Sequence, residues 1–153
     1  MILTCPRGIV ETSLASLRKA GAKEQEGIIL WLAGRANPQL IVEAYVPQHV
    51  AEIDRFWISC EAMIGMLNHL RTTRKSVAAQ VHSHPNLAFH SWADDEYAIP
   101  RHAGALSIVV PFFGTRTTVV DFQQSSAFFA LSPEGKWQPV DAPDIRDLFE
   151  IQG

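Results

Sequence analysis

Apolar residues recur along this chain with two periods. Over residues 9–20, IVETSLASLRKA, Val10, Leu14 and Leu17 stand at i, i+4 and i+7 with Ile9 alongside, which is one face of a helix. Gly21 is a natural stop. Residues 27–34, GIILWLAG, form a continuous apolar run bounded by glycines, short enough for a buried strand. The Asn37-Pro38 pair marks a turn, residues 39–46 read as the next strand, and the two strands as a hairpin with a longish loop. Residues 48–57 read as a mixed loop. Residues 59–70 are a helix candidate with Ser59 as N-cap and Ile64, Leu67 and Leu70 at helical spacing, Met63 and Met66 serving as core filler. Strands are expected at 77–84, 105–110 and 127–131, with a last short one at 137–140. The β-branched run 115–122 alternates and reads as a strand as well, and residues 144–151 as a terminal helix. Interleaved helices and strands of this kind make an α+β protein.

Composition narrows the picture without changing it. At 153 residues the chain suits one domain, residues 1–153, large enough for its own core. Hydrophobic residues are 47% and charged residues 19%, an ordinary globular balance. A net charge of −3 and no basic face speak against nucleic acid as a main partner. The cations Arg71, Arg74 and Lys75 follow a predicted helix, where they suit its dipole. No apolar run approaches the ~18 residues that span a bilayer, and MILTCPRG lacks the basic start and long apolar core of a signal peptide. No membrane association and a cytoplasmic location are therefore expected. Cys5 and Cys60 lack metal-ligand spacing and disulfide-scaffold density, so both read as buried small hydrophobes.

Candidate chemistry concentrates in residues 81–98, VHSHPNLAFHSWADDEYA, which hold three of the six histidines. On a strand, His82 and His84 share a face because side chains repeat every second residue. At roughly 3.3 Å per residue the two imidazoles start about 6.6 Å apart and can converge on one ion. Pro85 has no N–H for a ladder, so the strand ends there and the chain turns. Asp94 or Asp95 can then return as a third ligand. Two imidazoles and a carboxylate form a catalytic type of zinc set, with a fourth position open for water. Ser91 can cap a helix start whose first turn carries both aspartates, a local role that needs no metal.

His82-x-His84-Pro85, then Ser91-x-x-Asp94, resembles the signature of the JAMM (MPN+, JAB-domain) zinc metalloproteases. The loop of five residues between Pro85 and Ser91 is one shorter than the family's usual length. Asp94 keeps the serine-to-aspartate spacing and is preferred; Asp95 would restore the histidine-to-aspartate spacing. The resemblance, spread over residues 9–131, implies an MPN/JAMM (cytidine-deaminase-like) fold, a mixed curved sheet flanked by helices. It implies a Zn2+ ion on His82, His84 and Asp94, and Ser91 as hydrogen-bond donor to the substrate carbonyl oxygen. It also implies a catalytic glutamate ahead of an apolar strand. The matching run here is 26–34, one residue longer than the pattern; Glu26, which abuts the strand, is favoured over Glu24. His90 is placed outside the ligand set, in the second layer or the loop.

The small size and the runs FHSWADDE and LSIVVPFFG look like bacterial JAB-domain proteins that work beside E1- and E2-like partners. That likeness implies a metallo-(iso)peptidase cutting after the C-terminal tail of a ubiquitin-like protein, in deconjugation or precursor processing. One alternative is a peptidase trimming a ubiquitin-fold sulfur-carrier protein. Another is a non-catalytic MPN scaffold, against which the intact His82, His84, Ser91 and Asp94 argue. A DNA-repair-associated JAB domain is disfavoured by the acidic charge.

Overall fold

In the computed structural model the described residues are all but Met1, His49, 52–55, 91–93 and 96–97, and the side chains of residues 50, 51, 56 and 57 are likewise left aside. The chain runs β1 (Leu3–Pro6), α1 (Arg7–Gly21), β2 (Ile28–Gly34), β3 (Asn37–Tyr45), β4 (Val50–Ala51), β5 (Phe56–Trp57), α2 (Cys60–Thr73), β6 (Lys75–Ser83), β7 (Leu106–Val110), a short α3 (Phe122–Ser125), β8 (Ala127–Leu131), β9 (Trp137–Pro139) and β10 (Phe149–Gln152). Eight strands form one mixed sheet in the order β10-β1-β3-β2-β6-β7-β8-β9, and β4 and β5 pair separately. This is the α+β architecture expected from the alternation of periods, with one parallel pair, β6 and β7, near its centre.

The apolar run of β2 is continuous because both of its faces are covered. Ile29, Trp31 and Ala33 point one way, with Ala79 and Val81 of β6 and Ile108 and Val110 of β7. The α1 stripe Val10, Leu14 and Leu17 closes that face, each residue fully or almost fully buried, as the helical spacing predicted. Trp31 stacks on Phe149 at 5.7 Å between ring centroids and donates Nε1–H to Ser13 Oγ at 2.9 Å. Ile28, Leu30 and Leu32 point the other way and meet Met66 of α2 and Val77. Pairing with β2 shifts between Trp31–Ala79 and Leu32–Val77, which is why Val77 and Ala79 serve opposite faces. Gly27 lets α1 pass close over the start of β2: a Cβ there would meet Leu17 Cδ2 at 2.9 Å and push that side-chain tip aside.

Several sequence expectations need correction. The hairpin between β2 and β3 turns in two residues, Arg35 and Ala36, not in a long loop. Residues 115–122 form no strand. Both edges of β7 are taken, by β6 and β8, so the run between β7 and β8 is used as a connection. It is tied down locally, with Thr118 N–H donating to Asp121 Oδ1 at 2.7 Å and Arg18 Nε to the Gly114 carbonyl at 2.9 Å. Residues 144–151 are not a helix. A 3-10 turn, Ala142–Asp147, started by Pro143, leads into β10, which fills the free parallel edge of β1 and buries Phe149. Strand β1 itself went unforeseen, its apolar content being too short to register. The 48–57 segment contains the β4–β5 pair. On α2, Ser59 caps as expected, accepting from Ala62 N–H at 3.1 Å, but Met63, Met66 and Leu70 face inward while Ile64 and Leu67 are over half exposed. Cys5 is buried, which pushes its thiol up to about 12, whereas Cys60 is exposed, contrary to expectation.

Candidate metal centre

The site lies on the α2-side face of the sheet, at the end where β6 leaves it. On β6, Gln80 and His82 alternate with the core residues Ala79 and Val81, and His82 pairs with Ile28 of β2. β6 ends at Ser83, and Pro85 follows. His84 keeps one further bond, its N–H donating to the Val110 carbonyl at 2.9 Å, so its ring is still set by the sheet. The two imidazole centroids are 5.2 Å apart. Opposite them, Ser83 N–H donates to the Gly27 carbonyl at 3.1 Å, and Gly27 N–H donates to Ser83 Oγ at 2.9 Å. This reciprocal pair extends the ladder by one step beyond β2 and brings Glu26 across from His84. Ser83 is a site residue that motif reasoning missed, since a serine between two histidines carries no signal of its own.

Asp94 arrives from the crossover between β6 and β7, on a helical turn at residues 94–95. Its carboxylate straddles the two rings, with Oδ1 3.1 Å from His82 Nε2 and Oδ2 3.2 Å from His84 Nε2. His82, His84 and Asp94 are all buried, and one ligand atom from each lies within 4.8 Å of the others. Glu26, also buried, places Oε1 3.6 Å from His84 Nε2. The two rivals lie elsewhere. Asp95 turns outward to His90 Nδ1 and is 55% exposed. Glu24 is exposed and sits in a left-handed turn with φ 55°. Ser91 lies outside the described residues.

Two imidazole nitrogens and a carboxylate, buried and convergent, are donors of the type that hold a divalent ion and leave a coordination position free. Glu26 stands beside this set without belonging to it, the placement a proton-carrying base requires. On the segment after His84, Leu87 and Phe89 are exposed, and Phe89 packs edge-on against His84 at 4.5 Å. Among the described residues no helix is long and apolar enough to cross a membrane.

A mixed α+β sheet with a buried His-His-carboxylate set at the end of a central strand defines a class of metal-site proteins, and comparison supplies the family. Residues 6–124 match the prokaryotic homologues of the JAB domain, and the chain belongs to that family. A protein of Sinorhizobium fredii named as a probable metalloprotease is 33% identical over 151 residues, which cover 95% of this chain and 91% of that one. Among solved structures, a protein of Desulfitobacterium hafniense superposes with a TM-score of 0.69 at 15% identity, covering 99% of this chain and 93% of its own. A JAB1/MPN domain protein of Archaeoglobus fulgidus gives a TM-score of 0.55 at 16% identity, covering 99% and 98%. At such identities the structural likenesses speak for the fold alone, and the second of them carries the JAB/MPN fold expected from the motif.

Proposed function

We propose that this protein is a zinc-dependent metallopeptidase that cuts the bond after the C-terminal tail of a ubiquitin-like protein. The observation that carries the reading is the buried convergence of His82, His84 and Asp94, with the Glu26 carboxylate 3.6 Å from His84. The name of the Sinorhizobium fredii relative supports a protease. The resemblance of residues 26–34 and 81–95 to JAMM proteins supports the choice of metal and of substrate class. E1- and E2-like enzymes as partners belong to the same proposal.

His82, His84 and Asp94 would hold the zinc. Bound there, zinc would supply a Lewis acid and lower the pKa of its water toward neutrality. The chain's own residues do the rest. Glu26, held by the Gly27–Ser83 pair, takes the proton of the attacking water and passes it to the leaving amine. The Ser91 hydroxyl donates to the carbonyl oxygen as it gains charge. The burial of Glu26, His82, His84 and Asp94 keeps bulk water from competing there and strengthens each charge interaction.

The test is cleavage of a fusion in which a ubiquitin-like protein precedes a reporter. Release of the reporter is expected from zinc-loaded protein, loss of release with a chelator, and recovery on adding zinc back. Zinc-loaded protein that binds the ubiquitin-like partner yet never releases the reporter would make it a scaffold and overturn the enzymatic reading.

A further inference from the structure

The segment that delivers Asp94 has little regular structure of its own. Between His84 and Ile99, its described residues form only the turn at 94–95. Its start is fixed by Phe112 N–H donating to the Asn86 carbonyl at 2.9 Å, and its end by Ile99 N–H donating to Gln80 Oε1 at 2.9 Å. Halfway along stands His90. Its Nε2 is 2.9 Å from Ser107 Oγ on β7, and its Nδ1 meets the Asp95 carboxylate. The ring is almost fully buried, 4.6 Å from the Phe129 ring and 5.5 Å from that of Trp137. It lies 6.1 Å from the His82 ring.

Hydrogen-bond chemistry orients this strut. An ionised carboxylate only accepts, so Nδ1–H donates to Asp95, and in the neutral ring Nε2 accepts the Ser107 hydroxyl proton. Burial holds His90 below the ordinary imidazole range although Asp95 pulls the other way, which agrees with a neutral ring. The connectivity is that of a serine-hydrolase triad, yet Ser107 is fully buried inside β7, so no substrate can reach its oxygen. What the bonds can do is fix position. Ser107 belongs to the sheet, and Asp95 shares its helical turn with Asp94.

We propose that His90 is a positioning residue for the metal centre: pinned to Ser107 and packed against Phe129 and Trp137, it grips Asp95 and thereby holds Asp94 against His82 and His84. The inference rests on the reading that those three residues bind a metal. Outer partners that orient metal ligands typically contribute 10–100-fold to metal affinity or activity. His90 acts one step further out, through the backbone that joins Asp95 to Asp94.

Zinc affinity, read by competition with a chromogenic chelator, tests this together with the thermal midpoints of the metal-free and zinc-loaded chain. His90→Ala should weaken zinc binding by about tenfold or more and shrink the stabilisation that zinc adds. His90→Gln, whose amide also offers a donor group and an acceptor group, should restore most of the affinity. Ser107→Ala should fall between. If His90→Ala lowers the metal-free midpoint but leaves zinc affinity and the zinc-induced increment unchanged, His90 only stabilises the fold and the proposal is overturned. A His90→Gln variant as weak as His90→Ala also counts against it, since the hydrogen bonds are then not what matters. Should His90→Ala not fold, Ser107→Ala decides: unchanged affinity overturns the proposal and weakened affinity supports it. A His82→Ala control separates the two layers, because zinc binding equal to wild type there sinks the metal-centre reading itself.

Discussion

Strand β6 has two faces with opposite tasks. On one, Ala79 and Val81 join Trp31, Ile29 and the α1 stripe in an apolar core. On the other, Gln80 and His82 spend buried positions on polar groups that hold the β6–β7 crossover or converge on Asp94. The neighbouring strand β2 is apolar on both faces, and the polar group comes just before it, where Glu26, two residues ahead of Ile28, faces His84. Burying apolar area stabilises a fold by about 25 cal/mol per Å², whereas burying polar groups costs free energy unless each finds a partner. The α1-side core and the smaller cluster of Ile28, Leu30, Leu32, Met66 and Val77 therefore supply the stability that lets one end of the α2 side carry a buried set of ionisable groups. If the division is real, changes in the metal-site set and changes in the α1-side core should separate cleanly into loss of chemistry and loss of stability.

The largest effect is expected on the polar face. His82→Ala should leave the fold intact and reduce bound zinc from about one per chain to a trace, with turnover falling to background. Elemental analysis of purified protein checks it. Asp94→Ala should be far more damaging to zinc content than Asp95→Ala, since only Asp94 reaches both imidazoles. Unchanged zinc content in His82→Ala would remove the metal from the account.

Next comes the apolar face. Ile29 is fully buried and pairs with Val81, one residue along from the Ile28–His82 pair. Ile29→Ala should cost about 2–5 kcal/mol of stability, read from denaturant midpoints. Protein that remains folded should bind zinc as wild type does. Loss of zinc from a folded Ile29→Ala variant would show that the two faces are one cooperative unit, and the division would fail.

These two residues also show what a single sequence reveals. Strand period places His82 and His84 on one face, and the glycine-bounded run marks β2, because both signals are local. The same holds for the α1 stripe and the Ser59 cap. What stays hidden is long-range. Ser83 serves Glu26 through Gly27, and Ser107 and Gln80 anchor the crossover, yet isolated polar residues in strands look alike until the sheet is assembled. Residues 115–122 carry a strand's alternation but find no free strand edge, and 149–152 form a strand because β1 offers one. Edge availability is a property of topology, which periodicity does not encode. The choices between Glu26 and Glu24, and between Asp94 and Asp95, were open for the same reason: each pair differs by one or two positions in sequence but by the whole wall of the site in space.

Glu26 sharpens the comparison further. Glu26→Gln keeps shape and removes the base, so zinc should be retained while turnover falls at least about a hundredfold, or about 2.7 kcal/mol at 1.36 kcal/mol per tenfold. Glu24→Gln should match wild type, because Glu24 is exposed on the turn after α1. The reverse pattern in steady-state kinetics would move the base to Glu24 and contradict the placement of Glu26 beside His84.

The smallest effect concerns a second polar group on the α2 side, away from the metal centre. Glu43 of β3 accepts from Lys75 Nζ at 2.6 Å and pairs with His69 Nε2 of α2 at 2.8 Å, and Tyr45 stacks on His69 at 5.0 Å. Burial by itself would raise the Glu43 pKa, but its bonds to Lys75 and His69 outweigh that and hold it below the ordinary value of 4.5. A folded-state pKa below the unfolded one means that the unfolded chain takes up the proton first as pH falls. The pair therefore stabilises the fold fully above the ordinary glutamate range, and the contribution disappears as pH drops through the depressed folded value. The side chain is about a quarter exposed, so the contribution is that of a partly screened pair, about 1 kcal/mol at pH 7. Glu43→Gln should lower the unfolding free energy, read from denaturant curves, by that amount at pH 7, with the gap to wild type closing below pH ~4.5. Zinc affinity at pH 7 should not change. If the gap is equally wide at acid and neutral pH, Glu43 works through shape and not through charge. If zinc affinity falls with it, polar groups on this side of the sheet are coupled, and the division between the two faces holds while the independence of the site within its own face does not.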